Sequence, residues 1–386
     1  MKILIVGAGI GGCTLAAFLK DTKLEFDIVD RSADWSQHGY SLGLWNNGRS
    51  ILKKLGIENI LDTHGVPIHT YFIRDGKGKL LKKFNLHDFY IRYGIAYMNI
   101  SRDLLHETLL ARSGTHVKMN CSIVSLKQIV DAAGAKDYKV IVTFSDGTTG
   151  EYDLVVGADG VHSKVRELAF DMHAIEHYDN QRIWYTWLDK KYTEHATITD
   201  YVGAGEFMSA FDCGSRALLV MVAPVEHTIW DDESSRIDKL KKALAHQTLI
   251  TSGALDALSG KDVSPTNLEH IRMKKWVKGN VVLLGDAAHA FEPHAGLGGS
   301  MAMEDGYVLA AELMKVSDSY SLSDALARYE LVRKSRVTLA RKLTNRMRCW
   351  TLIKSKLLRK IVNIAIPYIP ESFFVAGYYR LLDEDL

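Results

Sequence analysis

VVLLGDAAHAFEPHAGLGGSMAMED, residues 281–305, is the stretch whose reading decides the fold. Residues 281–284 are a short apolar run stopped by Gly285, the pattern of a strand covered on both faces. A turn follows at Gly285 and Asp286, then a glycine-rich loop, then a helix from about Ser300. Gly285, Gly296, Gly298 and Gly299 let the backbone press close to a ligand, and the helix that follows offers unpaired N–H groups to it. An ordinary strand-to-helix connection would look the same in isolation, so the rest of the chain has to supply the ligand.

The N-terminus does so. Residues 2–6 (KILIV) read as a strand, Gly7 to Gly12 (GAGIGG) as a tight turn, 13–20 as a helix and 26–29 as a second strand ending at Asp30. In such a βαβ unit, Gly7 permits the turn, Gly9 lets a pyrophosphate reach the backbone, and Gly12 lets helix and strand pack closely. Asp30, 18 residues after Gly12, can accept hydrogen bonds from a ribose. An acid there favours an unphosphorylated adenosine ribose, as in NAD or FAD, and Arg31 is grouped with it on the cofactor side. Residues 101–112 (SRDLLHETLLAR) form an amphipathic helix with Ser101 as N-cap and Leu104, Leu105 and Leu109 on its apolar face. Arg102 sits in the first turn, where a cation opposes the helix dipole. That suggests an anionic partner, against the common alternative of a solvated arginine.

The 386 residues, 47% hydrophobic and 24% charged, suffice for two domains. Lys and Arg number 48 and Asp and Glu 46, a balance that gives no reason to expect nucleic acid as a partner. Cys13, Cys121, Cys213 and Cys349 are scattered and form no CxxC pair, so neither a disulfide framework nor a zinc site is expected. No apolar run reaches the roughly 18 residues of a transmembrane helix. Met1 leads straight into a strand, and the expected location is cytoplasmic.

A second glycine-rich stretch covers residues 39–48, with a helix over 50–55. Residues 71–97 suggest a hairpin turning at Asp75 to Gly78, and strands over 139–144 and 151–156 turn at Asp146 and Gly147. Aromatic and apolar runs at 182–188, 196–202, 206–211 and 216–222 read as an antiparallel sheet with one face on a core or cavity, followed by a helix-leaning segment over 234–258. The opening stretch then returns to the first domain. The expected fold is α/β: a discontinuous Rossmann-like cofactor domain (1–71, 97–170, 271–345), an antiparallel-sheet substrate domain (72–96, 171–270) and a C-terminal helical segment (346–386). The tail is helical from 322, and residues 328–360 carry many Lys and Arg with Glu330 the single acid. Such a helix suits a membrane surface or, more commonly, a solvated face whose long side chains lie on the core.

Three motifs now stand in order: GxGxxG, DLVVGADGVHSKVR (153–166) and GDAAHAFEPHAGLGG (285–299). Over about residues 1–345 the chain resembles the single-component FAD-dependent monooxygenases of the para-hydroxybenzoate hydroxylase-like group. Relatives in that group include salicylate and urate hydroxylases, tetracycline-inactivating monooxygenases and zeaxanthin epoxidase. The resemblance implies that Gly7, Gly9, Gly12 and Asp30 hold the ADP half of FAD and that Arg102 contacts its phosphates. Asp159 and Gly160 would lie at the FAD–nicotinamide border, completed by Ser163 and Arg166. Asp286 would bind the ribityl region, and Pro293, Gly296, Gly298 and Gly299 would wrap the flavin ring. Leu297 departs from the glutamine usual between the loop glycines, which bears on the loop's grip on the ring.

The implied chemistry is NADH- or NADPH-driven, O2-dependent hydroxylation of an aromatic or polycyclic, antibiotic-like small molecule through a flavin C(4a)-hydroperoxide. The alternatives are a flavin reductase or epoxidase acting on an isoprenoid-like substrate, and a flavin-bearing protein without turnover. Trp184, Tyr185, Trp187, Phe207, Met208, Phe211 and Met221 are candidate substrate walls, although alternation sends only half of a strand to one face. His294, in the flavin loop, is the candidate catalytic base. His162 and His289 read as structural. No metal is expected, and the chain is expected to be a monomer or homodimer.

Overall fold

The three motifs end up side by side. The computed structural model describes residues 1–35, 40–94, 97–130, 138–170, 175–225 and 232–383, leaving out the side chains of 130, 138 and 175–180. Glycine 39, which opens the second glycine-rich stretch, lies outside the described residues. A six-stranded sheet runs in the order Val277–Lys278, Val281–Leu283, Leu154–Gly157, Lys2–Val6, Glu25–Val29, Val117–Lys118. Its central strands are parallel, with Val6 opposite Gly157 and Gly157 opposite Leu283. They are covered on both faces, which is why they read as unbroken apolar runs. The glycine-rich turns that follow all three therefore leave one carboxyl edge, where ligands of open α/β sheets bind.

A three-stranded sheet (Ser41–Trp45, Tyr97–Ser101, Val66–Ile68) accompanies this body. A second three-stranded sheet pairs Thr149–Tyr152, Tyr138–Phe144 and Ile123–Val130. A seven-stranded sheet runs in the order Val263–Ile271, Ile175–Asp189, Arg216–Pro224, Phe207–Asp212, Thr197–Val202, Thr70–Asp75, Leu80–Asn85. One pair in it, Thr197–Val202 with Thr70–Asp75, is parallel. The early hairpin joins the sheet from a distant part of the chain, and such a long crossover permits parallel pairing. Alternation sorts the two faces. Trp184, Tyr201, Met208, Leu219 and Met221 pack into a core with Leu240 and Leu244 of the helical segment behind the sheet. Their neighbours Ile183, Tyr185, Phe207, Ser209, Val220 and Val222 turn the other way, into a cavity.

Local readings shift where tertiary contacts decide. The helix His87–Tyr93 lies inside the span read as a hairpin, and a short helix, Asp286–His289, occupies the turn after Gly285. The loop helix starts two residues earlier than expected, as Gly298–Leu313, and the helix expected over 50–55 spans Asn46–Lys54. The long basic helix Leu322–Thr351 opens with a Ser321–Asp324 capping box. Its face is not simply solvated. Arg333 and Arg336 are buried against Glu304 and Asp305 of the loop helix, and Arg341 donates to the carbonyl of Ile271 at 2.6 Å.

Candidate cofactor and substrate site

A cavity of about 1080 Å³ lies between the carboxyl edge of the parallel sheet and the inward face of the seven-stranded sheet. At its cofactor end, Gly7 has φ +105°, and a Cβ there would meet the Ala158 carbonyl oxygen at 2.4 Å. A Cβ on Gly12 would stand 2.0 Å from the Gly7 carbonyl oxygen. These two glycines bring backbone against backbone. Gly9 has open space beyond its α-carbon and lines the cavity with Ile10 and Gly11. The helix Ile10–Leu19 has neither a side-chain cap nor an acid in its first turn, so its N-terminal amides suit an anion. Asp30 braces the turn, accepting from the N–H groups of Ala8 and Ser32 at 2.8 Å each. Arg31 is exposed beside it, and neither residue lines the cavity. Arg102 does line it, lying 5.3 Å from the centre of the Tyr40 ring, at the end where phosphates would sit.

Asp159 does not reach the cavity. Its carboxylate accepts from the Ser163 hydroxyl at 2.5 Å and from the N–H groups of Lys164 and Val165 at 2.7 and 3.1 Å, capping the helix Lys164–Phe170. Burial raises its pKa, and these bonds act against the rise. Arg166, buried, donates to the carbonyls of Val161 and Ala287 at 2.6 and 2.9 Å, tying the middle motif to the late one. Ala158, Gly160, Val161 and His162 are what this motif shows to the cavity. His162 Nε2 lies 3.2 Å from Glu269, and His289 is buried at 2.6 Å from Asp305.

The flavin loop turns through a 3-10 segment, Pro293–Ala295, to Gly296 at φ +62°. Leu297 is fully buried as the N-cap of Gly298–Leu313, so the residue in glutamine's place packs into the core. That helix also lacks a side-chain cap and a first-turn acid, and Gly298 and Gly299 face the cavity. Its first-turn amides are suited to negative charge on a reduced flavin ring. Asp286 is exposed to the cavity. Desolvation by the surrounding protein raises its pKa, His289 and Arg102 act against the rise, and Asp305 adds to it. An anion cradle at one helix end, open space at Gly9 and a second uncapped helix at the loop fit FAD.

The buried charges behind the loop explain its acidic ending. Asp305 accepts from the Gly285 N–H at 2.7 Å, His289 Nε2 at 2.6 Å and Arg333 Nε at 2.6 Å. Glu304 accepts from Arg336 at 2.7 Å, from Asn47 at 2.8 Å and from Arg333. Burial alone would raise the Asp305 pKa; His289 and Arg333 outweigh it and hold the group at about 2.

At the substrate end, Tyr185, Phe207 and Phe211 line the cavity. Trp184, Met208 and Met221 lie on the opposite face of the sheet, and Trp187 lies off the cavity beneath Arg216, 5.2 Å from its ring. His294 lines the cavity with its side chain 3% exposed and its ring 5.8 Å from that of Phe207. Its Nδ1 is 3.8 Å from Glu292, too far for a hydrogen bond, and neither ring nitrogen has a partner among the described residues. Burial, with the nearby Arg348 charge adding to it, lowers its pKa to about 4, so the imidazole is neutral at pH 7.

The structure adds a group that motif reading missed. Asp200, buried on the strand Thr197–Val202, lines the cavity and accepts from the Tyr71 hydroxyl and from the Ser209 hydroxyl at 2.5 Å. Burial pushes its pKa up to about 6 against those two bonds. Tyr71 is itself held well above the ordinary tyrosine value by burial and by Asp200. The sequence signal is a lone acid in ATITDYV, in phase with Ile198 on the inward face. The tail closes the cavity with Met347, Trp350, Phe374, Val375 and Tyr378.

Residues 1–344 match the family described as FAD binding domain. The chain is 27% identical to 6-hydroxynicotinate 3-monooxygenase of Pseudomonas fluorescens, over 89% of this chain and 90% of that one. It is 28% identical to the FAD-dependent urate hydroxylase of Klebsiella pneumoniae, over 87% of each. The crystal structure of Klebsiella pneumoniae HpxO complexed with FAD and uric acid superposes with a TM-score of 0.87 at 24% identity, covering 99% of this chain and 96% of that one. Tetracycline destructase Tet(51) shares the fold with a TM-score of 0.72 at 22% identity, covering 97% of each chain. With the uncapped helix ends and the open glycine cradle, these likenesses place the chain in the FAD binding domain family, as a single-component FAD-dependent monooxygenase.

Proposed function

We propose that the enzyme hydroxylates an aromatic or fused-ring substrate bearing an acidic ring hydroxyl or N–H, with NADH or NADPH as the electron donor. The observation that carries this reading is Asp200, a buried carboxylate facing an aromatic-walled cavity across from the flavin loop. FAD, when bound, supplies the two-electron and oxygen chemistry that amino acids lack. The chain's residues do the rest. The uncapped amides at Gly298 and Gly299 hold negative charge at the ring, Gly9 and Arg102 take the phosphates, and Asp286 faces the ribityl region. Asp200, hydrogen-bonded to Tyr71 and Ser209, accepts the substrate's ring proton and so raises the electron density that oxygen transfer needs. A pKa of about 6 suits a base working near neutral pH.

His294, neutral, has one donor and one acceptor nitrogen with which to orient a second polar group of the substrate. Tyr185, Phe207 and Phe211 exclude water. Urate and 6-hydroxynicotinate, named as substrates of two relatives, are ring compounds of this class. The same reading divides the chain into the FAD-binding, substrate-binding and C-terminal parts expected from the sequence, in a cytoplasmic monomer or homodimer. No helix among the described residues is long and apolar enough to cross a membrane. The test is oxygen uptake with NADH and NADPH across hydroxylated aromatics and N-heterocycles. The expected result is substrate-stimulated uptake and a product heavier by one oxygen. Peroxide without product across the whole panel would refute it.

A further inference from the structure

The tail helix Lys356–Ala365 is inside out. Arg359 points inward, 5% exposed, donating to the carbonyls of Gly203 at 2.9 Å, Trp350 at 2.7 Å and Thr351 at 2.6 Å. Ile366 is buried behind it. The outward face carries Leu357 (70% exposed), Ile361 (54%), Ile364 (64%) and, just past the helix, Tyr368 (84%). Steps of four, three and four residues put these side chains on one stripe. Single exposed apolar residues are ordinary in a folded protein; a continuous stripe held outward by a buried arginine marks a surface that meets an apolar partner.

The charges around the stripe select the partner. Lys354, Lys356 and Lys360 are exposed beside it, and residues 331–370 contain no Asp or Glu. An apolar stripe rimmed by cations complements the surface of an anionic bilayer, where aliphatic side chains enter the acyl boundary and lysines meet headgroups. A second copy of the chain fits poorly, because an isologous contact would set these lysines against themselves. The helix and its successor Glu371–Leu382 are bent by 80° at the Pro367–Pro370 break and form no straight span. The second helix packs inward through Tyr378, Leu381 and Leu382, which leaves the first helix, with Tyr368 at the break as an interfacial aromatic, to meet the surface. The segments on either side line the cavity, Met347 and Trp350 before the helix and Phe374, Val375 and Tyr378 after it.

We infer that the tail helix docks this enzyme on an anionic membrane surface, which sets the apolar wall of its substrate cavity beside the lipid. The inference stands apart from the substrate reading, since the test needs no turnover. Full-length, FAD-loaded protein is sedimented with vesicles of phosphatidylcholine alone and of phosphatidylcholine mixed with phosphatidylglycerol. It should pellet with the mixed vesicles, stay in solution with the neutral ones and be released by high salt. Lys356→Gln and Lys360→Gln should each weaken binding about fivefold. Ile361→Glu and Ile364→Glu should each weaken it by about tenfold or more, with flavin absorbance unchanged as the check on folding. Three results would overturn the inference: no binding to the mixed vesicles at low salt, binding that survives both Glu substitutions, or a lipid-free dimer that Ile361→Glu dissociates in a protein that ignores vesicles.

Discussion

Asp200→Asn separates stability from chemistry at one position. The substitution keeps the side chain's size and removes the charge. Its amide oxygen still accepts from one of the two hydroxyls of Tyr71 and Ser209, and its NH2 donates to the oxygen of the other. In the fold the carboxyl titrates near pH 6, against about 4 for an unperturbed aspartate. A raised carboxylate pKa means the native state binds the proton more tightly than the unfolded chain does. Its contribution is therefore most favourable below about pH 4 and is lost as pH rises to 6. Above that, holding the ionised carboxylate in the fold costs about two pH units at about 1.4 kcal/mol each, or about 3 kcal/mol. The variant has no such penalty. With FAD saturating in both proteins, urea unfolding at pH 8 should show Asp200→Asn to be the more stable, by an amount that shrinks towards zero near pH 4. Turnover should move the other way, with kcat down at least a hundredfold, the usual contribution of a positioned base. Wild-type turnover should rise through about pH 6 and the variant's should not. Equal stability of the two proteins at pH 8 would show that the carboxylate is not held at a cost. Unchanged turnover with the same pH profile would remove Asp200 from the reaction.

The remaining predictions concern the cofactor end and its support. Gly12→Ala puts a Cβ 2.0 Å from the Gly7 carbonyl oxygen, so the purified protein should be nearly colourless, read as the ratio of flavin to protein absorbance. Arg333→Met leaves Glu304 and Asp305 short of a buried partner and should cost about 3–5 kcal/mol in denaturant unfolding. His294→Gln should lower turnover while leaving bound FAD unchanged. It should also flatten one acid limb of stability. A histidine whose pKa falls from 6.5 to about 4 on folding destabilises the wild type as pH drops through that window, and glutamine has no such term.

What could be read from the sequence was the part fixed by backbone geometry. Gly7 and Gly12 sit where only a missing side chain allows the chain path, Gly296 takes a left-handed φ of +62°, and the short apolar strands before Gly7 and Gly285 are local patterns. What could not be read depended on strands or helices meeting from far apart. Asp200 gains its tyrosine partner in the cavity only because Thr70–Asp75 crosses over to pair beside its strand and bring Tyr71 to it. Trp184 and Tyr185 are adjacent and equally aromatic, yet pleating sends one to the core and the other to the cavity. The basic helix was ambiguous for the same reason. Lysine and arginine look alike in a charge count, and only the facing Glu304 and Asp305 show that Arg333 and Arg336 turn inward.

That inward cluster also bears on the cavity's electrostatics. Glu304 and Asp305 meet Arg333 and Arg336, two carboxylates against two guanidinium groups, all with side chains at most 4% exposed. Paired at hydrogen-bond distance, their fields cancel over the length of the loop, while the hydrogen bond from the Gly285 N–H to Asp305 pins the turn mechanically. At the flavin end of the cavity the uncapped amides of Gly298–Leu313 then act alongside Arg102 and Asp286, and Asp200 is one of the acceptors at the other end. Glu304→Gln breaks that balance, because it leaves one uncompensated positive charge behind the loop. It should cost about 3–5 kcal/mol in stability and raise the bound flavin's reduction potential. The charge-conserving Glu304→Asp should leave the potential near the wild-type value. An unchanged potential in Glu304→Gln would show that the cluster's field does not reach the flavin.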